Sequence, residues 1–188
     1  YRALYCMDKL CQAGDVDGER YRLAAQKVKN SINDILWDEQ KGYYVNYVDG
    51  DFIEDNLSVD TVLVYLFGIS NEVRSNRMLD AMENLLETKN NQLQEAGDYG
   101  VMCVYPFYKG VYSSYGKSSQ DYEYHNGGNW PYWSAIYAYA KFLAGREWRY
   151  ALESWFVYNL ERGIFTPVEY FSPCRKSGST LQAWSGAA

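Results

Sequence analysis

Apolar residues recur at spacings of three and four along most of this chain, which predicts a succession of helices joined by loops of unequal length. Residues 1–13 read as the end of a helix already under way, stopped at Gly14. Residues 18–37 follow, with Tyr21, Ala24, Val28, Ile32 and Ile35 on one face. The period then becomes alternating over residues 42–53, which contain Asp49-Gly50, a favoured pair for a short hairpin turn. A third helix is predicted over 58–67, with Ser58 as N-cap and Gly68 as its stop. A fourth covers 71–88, with Val73, Met78, Met82 and Leu85 or Leu86 on its apolar face. Residues 90–128 lose the helical period and fill with Tyr, Gly and Ser, and so long a loop inside a compact domain is usually functional. A fifth helix (130–144), a sixth (147–161), a second long loop (163–178) and a seventh helix beginning near Thr180 complete the pattern.

The helices fall into two classes. The third, fifth and seventh are apolar nearly all round, whereas the second, fourth and sixth are amphipathic. A helix without a polar face belongs in an interior. Alternation of the two classes predicts an all-α fold, a partial α/α toroid of helical hairpins with one short β-hairpin. In such a ring the inner helices run parallel and gather their N-termini on one rim, where free N–H groups meet a ligand. The 188 residues read as a single domain, residues 1–188, supplying about three hairpins of a larger ring. The expected remainder is a missing N-terminal half, or self-association, to cover the inner helices.

Charge and cysteine usage narrow the function. With 24 Asp plus Glu against 18 Lys plus Arg, the net charge of -6 argues against nucleic acid as a partner. No apolar run approaches the roughly 18 residues of a membrane span, which argues against a membrane partner. Cys6, Cys11, Cys103 and Cys174 lack C-x-x-C spacing and indicate neither a disulfide framework nor zinc. They read as free thiols, and with no secretory pattern at the start they favour a cytoplasmic location. No metal or cofactor is expected. The 20 tyrosines stand out, because tyrosine offers a flat apolar face and a hydroxyl together.

Those aromatics concentrate in Tyr122-Glu-Tyr-His-Asn-Gly-Gly-Asn-Trp-Pro-Tyr-Trp133, which holds His125, the single histidine. Gly127 and Gly128 open backbone conformations that let a ligand approach the main chain. Pro131 suits a first helical turn. Aromatic faces beside amides and carboxylates at a helix N-terminus are chemistry that suits sugars.

Three segments together resemble the six-hairpin glycosidases: trehalases, processing α-glucosidases, the glucosidase half of glycogen-debranching enzymes, and neutral invertases. They are Leu57-Ser-Val-Asp-Thr61, then Tyr124-His-Asn-Gly-Gly-Asn-Trp-Pro131, and finally Pro167-Val-Glu-Tyr170 followed by Gln182-Ala-Trp-Ser185. The resemblance runs through essentially the whole chain, implies that the toroid is a partial (α/α)6 ring, and places the chain in the C-terminal half of the catalytic domain. It implies inverting hydrolysis of an α-linked glucoside or related oligosaccharide, with two carboxyl groups roughly 6.5–9.5 Å apart. Glu169 takes the position of the general base, and the general acid falls upstream of Tyr1.

The resemblance and the residues together suggest the remaining roles. His125, Asn126 and Tyr124 are candidates for holding sugar hydroxyls, although His125 could equally fix the glycine loop. Trp130 and Trp184 could form stacking floors or pack in the core, and Gln182 could reach a hydroxyl or cap its helix. Asp60 reads as a substrate-binding rim residue or as a first-turn carboxylate complementing the helix dipole. Asp98 is the fallback acid within the chain, with Asp121 and Glu123 as further candidates. Trp148 and Trp155 belong to the core. Competing readings are a catalytically incomplete glycan-binding fragment, and a sugar epimerase or isomerase, which needs a second histidine.

Overall fold

The computed structural model describes residues 1–108, 120–166, 168–174 and 177–180. α1 (Arg2–Ala13) and α2 (Glu19–Ser31) pack on each other as a helical hairpin. α2 runs into a π-helical turn, Ile32–Leu36, and then into extended chain at Trp37. The alternating stretch after it divides into separate ladders. β1 (Trp37–Asp38) pairs with β2 (Tyr43–Tyr44), and β3 (Tyr47–Asp49) pairs with β4 (Phe52–Glu54) across the Asp49-Gly50 turn. Gly50 has φ +57°, the left-handed conformation that such a turn requires.

The expectation of one β-hairpin is corrected here. Among the described residues a third ladder joins β5 (Leu57–Ser58) to β6 (Val104–Tyr105), with Leu57 opposite Tyr105 and Ser58 opposite Val104. Partners this far apart leave no local signal, so the loop over 90–128 read as unpaired. The pairing also shortens the third helix. Ser58 is taken into β5, and a 3-10 turn, Val59–Val62, leads to a single α-helical turn, α3 (Leu63–Leu66). Ser58 stands at the N-cap of that 3-10 turn, but its hydroxyl makes no capping bond to the backbone and donates to the Asp60 carboxylate.

α4 (Glu72–Leu85) begins at Asn71, whose Oδ1 accepts from Arg74 N–H at 2.9 Å. α5 (Pro131–Leu143) has Pro131 in its first turn and packs on α6 (Arg149–Glu161) and on the 3-10 turn. The main core joins Leu57, Val59 and Val62 to Met78, Leu79 and Met82 of α4 and to Tyr137, Ala138 and Ala140 of α5. A smaller cluster, Tyr99, Met102, Val168 and Phe171, lies under the second long loop.

α5 is not enclosed on every side. Tyr139, Phe142 and Leu143 stay more than half exposed, and the first two border, with Trp148 and Leu152, an apolar groove of about 330 Å³. Its opposite face carries an unusual charge. Lys141 is 2% exposed and pairs with the equally buried Glu87, and with Glu83 at 3.3 Å. Tyr137 donates to Glu87 Oε1 at 3.2 Å, and desolvation beside that carboxylate holds the phenol well above its ordinary range. The seventh predicted helix lies outside the described residues.

Candidate active site

The loop entering α5 is held in an unusual backbone shape. Tyr122 and Tyr124 have φ of +67° and +43°, which non-glycine residues adopt only when their surroundings enforce it. The Tyr124 carbonyl explains how. It accepts from Cys103 Sγ at 3.3 Å, Gly128 N at 3.2 Å and Trp130 Nε1 at 3.0 Å. The two glycines serve packing here, which differs from the ligand-approach role expected of them. A Cβ on Gly127 would meet the Phe107 ring, and one on Gly128 would meet the Tyr124 carbonyl oxygen at 2.6 Å.

Side chains on this loop form a ring stack. His125 lies parallel to Trp130, with centroids 4.7 Å apart and planes 2° apart, and Trp130 stacks on Tyr170 at 5.5 Å. Tyr124 sets its edge against both Trp130 and Tyr170. Trp130 is left only 4% exposed, so its faces belong chiefly to protein rings. His125 is the exposed member of the stack.

Beside it lies a cavity of about 250 Å³, lined by Asn46, Ser58, Val59, Asp60, Cys103, Tyr108, His125, Trp130 and Trp133. Asp60 reaches it from the 3-10 turn that packs on α5. Burial raises the Cys103 thiol to about 12, so this lining cysteine is a neutral hydrogen-bond donor. Glu169 is not among the lining residues, but its charge reaches His125. Its segment is stapled to the entry of α5 by paired hydrogen bonds between Asn129 and Phe171, both 2.9 Å. The Glu169 carboxylate accepts from Ser179 N–H at 3.2 Å, and Gly178 leaves it space that a Cβ would fill.

His125 feels both carboxylates. Partial desolvation holds its pKa below the usual histidine value, and the charges of Glu169 and then Asp60 pull the other way. Glu169 also raises Tyr124, after the larger effect of desolvation. The unfolded chain therefore takes up this proton at a higher pH than the folded one, near the ordinary value of about 6.5. The stabilisation from a neutral His125 is complete above that value and is lost as pH falls through the lower folded-state pKa. Thermal denaturation across this range should show a loss of stability on acidification that is shallower in His125→Gln. Identical slopes would contradict this environment.

The remaining candidates distribute unevenly. Asn126 is 1% exposed, and its amide is engaged, with Oδ1 accepting from Tyr108 N–H at 2.8 Å and Nδ2 donating to Asp121 at 3.4 Å. Glu123 is buried. Asp98 lies apart from the cavity and lines a separate groove of about 620 Å³ with Tyr150 and Lys89. There Asp98 accepts from Tyr150 OH at 2.6 Å and Thr88 Oγ1 at 3.1 Å. That groove is the larger and shares no lining residue with the cavity beside His125, although Tyr99 on its wall donates to Gly127 O of the histidine loop at 2.8 Å. Gln182 and Trp184 lie outside the described residues. Asn46, Cys103 and Tyr108 line the cavity without any local motif that marks them. Among the described residues no cluster of His, Cys, Asp and Glu is gathered to hold a metal, and no helix is long and apolar enough to cross a membrane.

Comparisons with known proteins place this geometry in context. A family model described as amylo-alpha-1,6-glucosidase matches residues 1–188. Among solved structures, the chain is similar to the GH63 mannosylglycerate hydrolase from Thermus thermophilus, crystallised in complex with glucose. The TM-score is 0.67 at 18% sequence identity, over 99% of this chain and 41% of that one. The fold is thus shared, and the chain spans well under half of that protein. No curated protein sequence matches.

Proposed function

From the premise that this chain belongs to the amylo-alpha-1,6-glucosidase family, we propose that it forms the C-terminal part of the catalytic domain of an inverting glycoside hydrolase acting on an α-linked glucoside or related oligosaccharide. The observation that supports this reading is that the charges of Glu169 and Asp60 both act on His125, beside a cavity with aromatic, amide and hydroxyl walls. A small concave site with convergent polar groups and perturbed ionisation is where chemistry is to be sought.

Glu169 is the general base in this account. It draws a proton from a water poised on the face of the sugar opposite the leaving oxygen. His125 and Asp60 hold sugar hydroxyls, Tyr124 and Trp130 fix the pose of the imidazole, and buried Asn126 keeps the loop in register. The general acid comes from outside these 188 residues, since Asp98 belongs to another groove. The exposed apolar groove of α5 and α6 is covered by the remaining hairpins of the ring, which agrees with the 41% coverage of the structural relative.

The test is release of free sugar from α-linked gluco-oligosaccharides. Release is expected from a polypeptide that carries the rest of the catalytic domain, with little from these residues alone. Normal turnover by the 188-residue chain would contradict an external acid. Saturable glycan binding with no turnover in either would favour the glycan-binding reading. An epimerase needs a second acid–base histidine, and this chain has one histidine.

A further inference from the structure

Asn46 and Tyr108 come from distant parts of the chain and meet on the wall of the cavity that holds Asp60 and His125. Asn46 stands just before β3, where its backbone N–H donates to Glu54 O at 3.1 Å and ties it to the hairpin. Its Nδ2 donates to the Tyr108 hydroxyl at 3.0 Å. Tyr108 is itself fixed, because its backbone N–H donates to Asn126, the residue next to His125. One chain of contacts therefore runs from the β3–β4 hairpin to the histidine loop.

This arrangement does two things to Asn46. An amide whose NH2 is already engaged presents its carbonyl oxygen as the acceptor it can still offer. An amide clamped by a partner also loses little freedom when it binds, which favours discrimination between closely related ligands. Burial pushes the Tyr108 phenol up to about 12, so the clamp keeps its proton at neutral pH. A carbonyl acceptor set among Trp130, Trp133 and a carboxylate is chemistry for the hydroxyl of a neutral sugar ring.

We propose that Asn46, clamped by Tyr108, is a specificity-determining residue that accepts a hydrogen bond from a ring hydroxyl of a neutral sugar in this cavity. The inference rests on the hydrolase reading above and extends it to a residue outside the three motifs.

Equilibrium binding of glucose, mannose and galactose, followed by tryptophan fluorescence, tests it. The unaltered protein should bind these epimers with unequal affinities. Asn46→Ala should weaken the best-bound epimer about tenfold and compress the ratios among the three, as expected for one lost hydrogen bond. Tyr108→Phe keeps the ring and removes only the clamp, and should weaken the same epimer about threefold with a similar compression. Ratios in Asn46→Ala that match those of the unaltered protein would overturn the proposal and leave the hydrolase reading standing. Should Asn46→Ala fail to fold, unchanged ratios in Tyr108→Phe overturn it instead. Absence of saturable binding of any of the three by the unaltered protein would overturn both.

Discussion

Glu169→Gln is expected to lower kcat by about 10²–10⁴-fold, the usual contribution of a positioned acid–base group, measured in a polypeptide that carries the whole catalytic domain. The amide is nearly the shape of the carboxylate. It can still accept from Ser179 N–H and still fits the space left by Gly178. The stapling of this segment to Asn129 uses backbone atoms and is untouched. Folding and substrate binding should therefore persist, with KM within roughly threefold, and the loss should fall on the step that needs a base. Steady-state kinetics on one α-linked substrate separates the two parameters. A kcat within about threefold of the unaltered enzyme would remove Glu169 from the chemistry.

The largest stability effect is expected far from the cavity. Lys141 and Glu87 are both buried, and each is the other's closest charge partner. Removing Lys141 leaves the buried Glu87 with only the partly exposed Lys89, at 3.6 Å, as a charge partner, which costs up to roughly 3–5 kcal/mol. Lys141→Met should destabilise the fold by about that amount in denaturant titrations. Glu87→Gln added to Lys141→Met should recover much of the loss, because the amide oxygen can accept from Asn90 while its NH2 donates to the Tyr137 hydroxyl, without the charge. A double variant no more stable than the single would show that the loss comes from packing rather than from the orphaned charge.

Helix positions were legible because they follow local rules. Pro131 after a glycine-rich loop marks α5, the apolar face of 71–88 marks α4, and both helices stand where the pattern placed them. The same loop could be picked out as chemical from its histidine, amides and aromatics. Its internal logic was hidden. Gly127 and Gly128 read as openings for a ligand, yet they make room for Phe107 and for the Tyr124 carbonyl. Whether a glycine faces a ligand or a neighbouring ring is decided by tertiary contacts that leave no local trace.

Pairings distant in sequence were the other blind spot. β5 finds β6 nearly fifty residues later, and that pairing converts an expected helix start into a strand and a 3-10 turn. It also carries Asp60 to the cavity. Asp98 shows the reverse case. Its Gly-Asp-Tyr-Gly setting resembles a site loop, but Tyr150 and Thr88 hold it in another groove. Lys141, an apparent polar interruption of an apolar helix, is explained only by a carboxylate on the segment after α4.

The central claim is that Glu169 serves as base to a water on the far face of the sugar. The anomeric form of the first sugar released, followed by proton NMR before mutarotation, tests it most directly. From an α-linked glucoside the account predicts β-glucose as the initial product. Initial release of α-glucose would show retention through a covalent intermediate and would contradict it.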